Sequence, residues 1–166
     1  MLLQDESIFV HNLYIKRKWI SIGKRPIVTV TGSRKKTIVF GIISNDGKQL
    51  FRQYARFNSD SFIKYLEEVR KKFKKFVMFV DRATQHRSKV VQDYLQKNND
   101  SMRIEYLPVG SPAEFNAVEE CWRQGKYNIL SNYYPSFSQL KQVISRYYRT
   151  TRFNLDIKKY LLRSTN

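Results

Sequence analysis

Three acidic residues occupy positions where an acid is structurally awkward. Asp5 interrupts the apolar run Leu2 to Val10, Asp81 ends the run Phe76-Val77-Met78-Phe79-Val80, and Glu119 opens a segment with helical apolar spacing. Burying an ionised carboxylate without a partner is costly, so such a position calls for a cation, a hydrogen-bond network or a raised pKa. Magnesium suits an all-oxygen set of carboxylates and waters. Two such ions can activate a water or hydroxyl and stabilise the leaving oxygen of a phosphodiester. Each acid taken alone is explained equally well without chemistry, since a strand-end aspartate often binds turn amides and a helix-start glutamate answers the local dipole. Only their convergence would separate the two readings.

The elements that must position these acids follow from periodicity. Leu2 to Val10, Ile27 to Thr31, Thr37 to Ser44 and Gln49 to Arg56 are strand-like runs, with Gly32-Ser33 and Asn45-Asp46-Gly47 as turns, and predict an antiparallel meander. Asn58 or Ser59 can cap a helix that repeats Phe62, Leu66, Val69 and Phe73 on one face. The unbroken run 76–80 fits a strand buried on both faces. Ser88 then caps a helix with Val90, Val91, Tyr94 and Leu95 inward, and Arg103 to Leu107 gives a last strand. Two further helices carry Val118, Cys121, Trp122 and Ile129, then Phe137, Leu140, Ile144 and Tyr147. A sheet that starts antiparallel and continues through helical crossovers is an α/β sandwich whose later strands run parallel to the first. In such a sheet the first strand can neighbour the strand after the first crossover, bringing Asp5 beside Asp81, with Glu119 supplied by a following helix. Gly125 within that helix costs up to about 1 kcal/mol relative to Ala unless close packing requires it.

Composition narrows the partners. The 166 residues suit one domain, and 31 Lys and Arg against 14 Asp and Glu leave a net charge of +17. The cations come in clusters, Lys16-Arg17-Lys18, Arg34-Lys35-Lys36, Arg70-Lys71-Lys72 with Lys74-Lys75, and Lys158-Lys159, separated by apolar segments. Together they fit phosphate tracking by a folded scaffold better than a membrane surface or a disordered tail. Cys121 is the only cysteine, which excludes an internal disulfide and a thiolate metal cage, and two histidines are too few for a histidine-built site. A reducing, cytoplasmic setting is expected, with no membrane partner and no processing.

Three segments carry a resemblance: Gln4-Asp5-Glu6; Phe79-Val80-Asp81-Arg82-Ala83 with His86; and Leu107-Pro108-Val109-Gly110-Ser111-Pro112-Ala113-Glu114-Phe115-Asn116-Ala117-Val118-Glu119-Glu120-Cys121-Trp122. From residue 1 to about Trp122 the chain resembles the catalytic domain of bacterial and archaeal insertion-sequence transposases of the mariner superfamily. The last segment keeps nearly all of that family's closing motif, and the 37 residues between Asp81 and Glu119 are similar to its spacing. The resemblance implies a ribonuclease-H-like fold with a mixed five-stranded sheet flanked by helices. It also implies a site of two Mg2+ (or Mn2+) ions, and DNA strand cleavage followed by strand transfer. Asp5 matches the first metal ligand, Asp81 the bridging second and Glu119 the third, while Glu6 and Glu120 point away from these and are left outside the site. His86 matches a recurrent position that either touches DNA or braces the Asp81 loop; an ordinary surface-loop histidine is the third reading. Arg82, Arg87 and Lys89 are expected to hold the DNA backbone, or else to be solvated charge. Ser111 and Cys121 are not expected to be nucleophiles. Trp19, Trp122 and the tyrosines of the last helix are read as core or dimer surface.

Two departures stand out. Ala117 replaces the proline usual after the motif's asparagine, losing a helix-start preference but no ligand. The chain begins on the first catalytic strand, so the helix-turn-helix reader typical of the family is not expected within it. The implied partners are transposon-end and target DNA, a second copy of the chain, and a separate DNA-reading domain or polypeptide, in a prokaryotic cytoplasm at the nucleoid. Three other readings stay open: a ribonuclease H acting on RNA–DNA hybrids, an inactive relic that binds nucleic acid, and a purely structural basic module.

Overall fold

The structure is a computed structural model that describes residues 1–12, 21–23, 27, 29–110 and 116–162. Trp19, the Lys16-Arg17-Lys18 cluster, Val28 and Ser111 to Phe115 lie outside the described residues. Five strands form one sheet: β1 (Leu2–Val10), β2 (Lys36–Ser44), β3 (Gln49–Tyr54), β4 (Phe76–Val80) and β5 (Met102–Tyr106). Their order across the sheet is β3-β2-β1-β4-β5, with β2 antiparallel to β1 and β3, and β4 parallel to β1 and β5. The meander is therefore three strands. The expected strand at Ile27 to Thr31 does not form: Ile27 and Thr29 to Thr31 carry no strand pairing, and Ile27 is 97% and Val30 49% exposed. Branched side chains favour a strand only when they have a face to pack on, and these have none.

Helices cover both faces. α1 (Ser59–Phe73) begins where the Asn58 side chain accepts the Ser61 amide at 2.9 Å, and buries Phe62, Tyr65, Leu66 and Val69. It packs with Val91 of α2 (Lys89–Lys97) on Leu2, Phe40, Ile42, Met78 and Val80. Val90, expected inward, is 56% exposed, because α2 is short and buries a single side chain. The opposite face carries α3 (Ala117–Ile129), α4 (Phe137–Thr150) and the unanticipated α5 (Ile157–Leu162), which enclose Leu3, Phe9, Val39, Phe51, Trp122 and Tyr148. On α4 it is Tyr148 that is buried, with Tyr147 only partly so.

Gly125 shows why α3 accepts a poor helix former. A Cβ there would stand 2.0 Å from the Tyr148 hydroxyl, which donates to the Cys121 carbonyl at 3.3 Å. Close packing of α3 on α4 requires the glycine, and the propensity cost is offset by that contact. Among the described residues no helix is long and apolar enough to cross a membrane.

Candidate active site

Alternation along β1 sets the site. Leu3, Asp5 and Phe9 share the face covered by α3, whereas Leu2, Gln4 and Glu6 face α1. The parallel ladder pairs Leu2 with Met78 and Leu3 with Phe79. Asp5 and Asp81 therefore lie toward the same end of two neighbouring strands. β4 ends at Val80, so Asp81 is the first residue beyond its C-terminal end, where the sheet no longer constrains the chain.

Glu119 arrives from α3. Asn116 caps that helix by accepting the Val118 amide at 3.1 Å, and its own amide donates to the Gln4 carbonyl at 3.0 Å, pinning the helix start to β1 one residue before Asp5. Glu119, in the first helical turn, is close enough to raise the Asp5 pKa by charge repulsion. One turn on, the Trp122 indole donates its Nε1 hydrogen to Asp5 Oδ2 at 2.8 Å. Ala117 starts the helix without a proline, the Asn116 cap being sufficient.

The indole reaches Asp5 because of Gly41. This residue pairs with Asp5 across β1 and β2, and a Cβ on it would stand 2.6 Å from both the Trp122 and the Phe51 rings. Real Cβ atoms do not approach that closely, so Gly41→Ala must push both buried rings. It is expected to cost about 1–3 kcal/mol, read as a lowered denaturation midpoint, and to weaken the Trp122 bond to Asp5. An unchanged midpoint would show that the rings yield freely.

Burial is the first cause that pushes the Asp5 carboxyl up to about 8, followed by the charges of Glu6 and Glu119; the Trp122 bond pulls the other way without winning. Asp81 behaves oppositely. Its Oδ1 accepts His86 Nδ1 at 2.8 Å and the Ala83 amide at 2.9 Å, and the His86 bond holds the carboxyl below its ordinary value. Both bonds fall on Oδ1, and the side chain is 55% exposed, so Oδ2 is the oxygen presented outward.

His86 is fully buried, against the Phe57 and Phe62 rings. Its Nε2 lies 3.0 Å from Glu6 Oε1, on the α1 side of the sheet. Burial opposes the charged imidazole, but the bonds to Asp81 and Glu6 outweigh it and push the group up to about 9. The DNA contact considered for His86 is therefore corrected: an imidazole without solvent access has no face for DNA, and it braces Asp81 instead. The surface-loop reading falls with it. The brace is itself held, since Tyr106 donates its hydroxyl to the His86 carbonyl at 3.1 Å and the His86 amide donates to the Ala83 carbonyl at 3.0 Å.

Arg82, Arg87 and Lys89 are exposed at the same end of the sheet. Arg82 Nε donates to the Leu107 carbonyl at 3.0 Å, and Lys89 stands 3.5 Å from Asp93. Glu120 turns to Arg123 and Gln124 on the helix surface. Cys121 is buried, with its thiol pushed up by burial, which removes it as a nucleophile.

Glu119 thus lies close enough to Asp5 to act on its charge, while Asp81 stands past the end of the neighbouring strand with its Oδ1 bonded to His86. Among the described residues no three His, Cys, Asp or Glu side chains converge tightly enough to enclose one ion. Sequence reasoning missed two contributors. Trp122 was read as core or dimer surface, yet its place three residues after Glu119 puts it on the same helix face. Glu6 was set aside because it points away from Asp5; it reaches the site from behind, through His86.

No curated protein matches this sequence. Among solved structures, the Mos1 mariner paired-end complex with Mn is 15% identical, covers 98% of this chain and 52% of its own, and superposes with a TM-score of 0.71. The Mos1 transposase catalytic domain with raltegravir and Mg is 13% identical, covering 98% and 78% of the two chains, with a TM-score of 0.62. The chain spans about half the length of the transposase in the paired-end complex. At these identities the likeness establishes the fold, a ribonuclease-H-like mixed sheet with flanking helices. Residues 1–141 match the family model described as DDE superfamily endonuclease, and the chain belongs to that family.

Proposed function

We propose that this chain is the catalytic domain of a DNA transposase, cleaving DNA strands and joining the freed 3′ ends to target DNA, with Asp5, Asp81 and Glu119 as the ligands of a divalent cation site. What supports this reading is where the three acids stand on separate elements: Asp5 on β1, Asp81 directly past the end of the neighbouring β4, and Glu119 in the first turn of α3, near enough to Asp5 to raise its pKa. The donor set fits hard cations such as Mg2+ or Mn2+, being all carboxylate oxygen, with Asp5 held protonated near neutrality by burial first and then by the charges of Glu6 and Glu119. The solved Mos1 complexes contain Mn or Mg, which supports the same choice.

Bound there, a pair of such ions would activate the attacking water or 3′-hydroxyl and stabilise the leaving oxygen. The chain's own residues supply position. Trp122 fixes Asp5 Oδ2, Asn116 fixes the helix that carries Glu119, and His86 fixes Asp81 Oδ1 while Oδ2 faces outward. Arg82, Arg87 and Lys89 would hold the phosphodiester backbone against the strand ends, without a covalent enzyme intermediate. The Mos1 structures include complexes with a transposon end, which supports DNA as the partner.

Metal withdrawal tests the reading. With Mg2+ or Mn2+ the chain is expected to nick supercoiled plasmid, and with EDTA the nicking should fall to background. Preferred cutting of an RNA–DNA hybrid over duplex DNA would replace this reading with a ribonuclease H. An absence of cutting on either substrate, with the fold and DNA binding intact, would mark the chain as an inactive relic.

A further inference from the structure

On the far side of the sheet, two strands away from Asp5, β3 forms the open edge, and a groove of about 770 Å³ runs between it, α1 and α4. Arg52, Lys71, Lys72, Arg149 and Arg152 line it, with Glu68 as its single acid. A second hollow of about 670 Å³ continues it past Gln53, Ser145 and Arg149, adding Lys36, Lys141 and Arg146 and no acid at all. The continuity comes from α4, where Lys141, Ser145 and Arg149 recur every fourth residue on one face. Gln53 ties that face to β3 by donating to the Lys141 carbonyl at 2.8 Å and to Ser145 Oγ at 2.7 Å.

Eight cations against one acid is a self-repelling arrangement. Lys72 registers it: burial first, then the charges of Arg52, Arg152 and Lys48, hold its ammonium below the ordinary value. Such a cluster is tolerated when a polyanion neutralises it.

The occupant can be narrowed further. An added peptide strand needs free backbone groups on the β3 edge. On that edge the Gln49 carbonyl is taken by Lys72 Nζ at 2.7 Å and the Phe51 carbonyl by Arg52 Nη1 at 2.9 Å, so strand addition is disfavoured. Single strands bind by stacking bases on exposed rings, but the rings of the first hollow are buried, Phe51 9% and Tyr148 4% exposed, and those of the second are half-buried and engaged, Phe137 beneath Lys141 Nζ at 5.4 Å and Tyr54 against Phe40. What is left is backbone recognition without base contact. From Lys141 to Arg149 the helical rise of α4 gives about 12 Å of track, roughly four phosphates of one strand at 3.4 Å each.

We propose that the groove between β3, α1 and α4 is a second DNA-binding surface, holding the phosphate backbone of a duplex independently of the carboxylate site. Binding of a labelled 30-base-pair duplex to the full chain, in EDTA and over a range of salt, tests it. Lys71→Gln with Arg149→Gln is expected to weaken binding about tenfold at low salt and to reduce the slope of log K against log salt by about two, near 0.9 per lost phosphate contact. Lys141→Gln with Arg146→Gln should do the same. Lys97→Gln with Arg103→Gln, an equal loss of charge at the β5 edge, should leave the slope unchanged. Equal losses for all three pairs would reduce the effect to net charge and overturn the proposal. So would intact binding in the two groove pairs, or tighter binding of a single strand than of the duplex. Because no divalent cation is present, the outcome does not depend on whether the carboxylate site cuts DNA.

Discussion

Asp5→Asn is expected to produce a chain that is more stable without metal, indifferent to Mg2+, and unable to cut DNA. The Asp5 carboxyl titrates near 8 in the fold against an ordinary value of 3.8, because it is buried beside Glu6 and Glu119. The native chain therefore holds a proton that the unfolded chain has lost, and stability declines as pH rises from about 4 to about 8. Asparagine removes that decline while its amide oxygen can still accept from Trp122. Partial solvent access relaxes part of the penalty, so a gain of about 2 kcal/mol at pH 8.5 is reasonable. For a chain of this size that is roughly 4–8 °C in Tm. A cation does for the native protein what the asparagine does for the variant: Mg2+ competes with the proton, so its stabilising effect on the native chain should grow with pH and vanish in Asp5→Asn. Nicking should fall on the order of 10³-fold or more, the loss of several kcal/mol of charge stabilisation. Thermal melts in EDTA and in Mg2+ at several pH values decide it. A variant less stable than the native chain at every pH would mean that Asp5 is a structural carboxylate satisfied by Trp122 alone.

The same positions show what a sequence can and cannot convey here. The strands at 2–10, 36–44, 49–54, 76–80 and 102–106 are readable to within two residues, as 2–10, 37–44, 49–56, 76–80 and 103–107, because each run carries apolar residues that need a sheet. Ile27 to Thr31 has the same local chemistry and fails as a strand, because propensity says nothing about whether a covering face exists. The motif around Glu119 pointed to the acids because its spacing is dense and local. What stayed hidden was long-range. His86 lies 80 residues from Glu6, and Trp122 lies 117 from Asp5, so neither bond has a local signature. Gly41 is silent for the same reason, being needed because an indole from a distant helix and the Phe51 ring lie against it. The basic groove was visible only as scattered clusters, of which Arg70-Lys71-Lys72 and Arg34-Lys35-Lys36 reach it, because helical spacing on α4 hides Lys141 and Arg149 among neutral residues.

The Glu6–His86–Asp81 chain makes the second large prediction. His86→Ala leaves the Glu6 carboxylate, whose side chain is only 7% exposed, without its cation, and leaves Asp81 Oδ1 held by the Ala83 amide alone. Breaking a buried ion pair from one side costs about 3–5 kcal/mol, which is enough to show as a large drop in the denaturation midpoint. The native pair should also give pH dependence. An imidazole held up at about 9 against an ordinary 6.5 contributes its full stability below about 6.5 and loses it as pH rises through 9. His86→Ala should therefore lack that alkaline decline, even though the decline from Asp5 at lower pH persists. Structure and positioning separate in the double variant His86→Phe with Glu6→Leu. Replacing a buried pair by apolar side chains of similar volume is often near neutral, and the Phe57 and Phe62 rings already provide an aromatic lining. Stability should return, while nicking stays depressed because only the Ala83 amide still holds Asp81 Oδ1. If activity returned together with stability, His86 would be a packing residue only, and the orientation of Asp81 would have to come from the Ala83 amide alone.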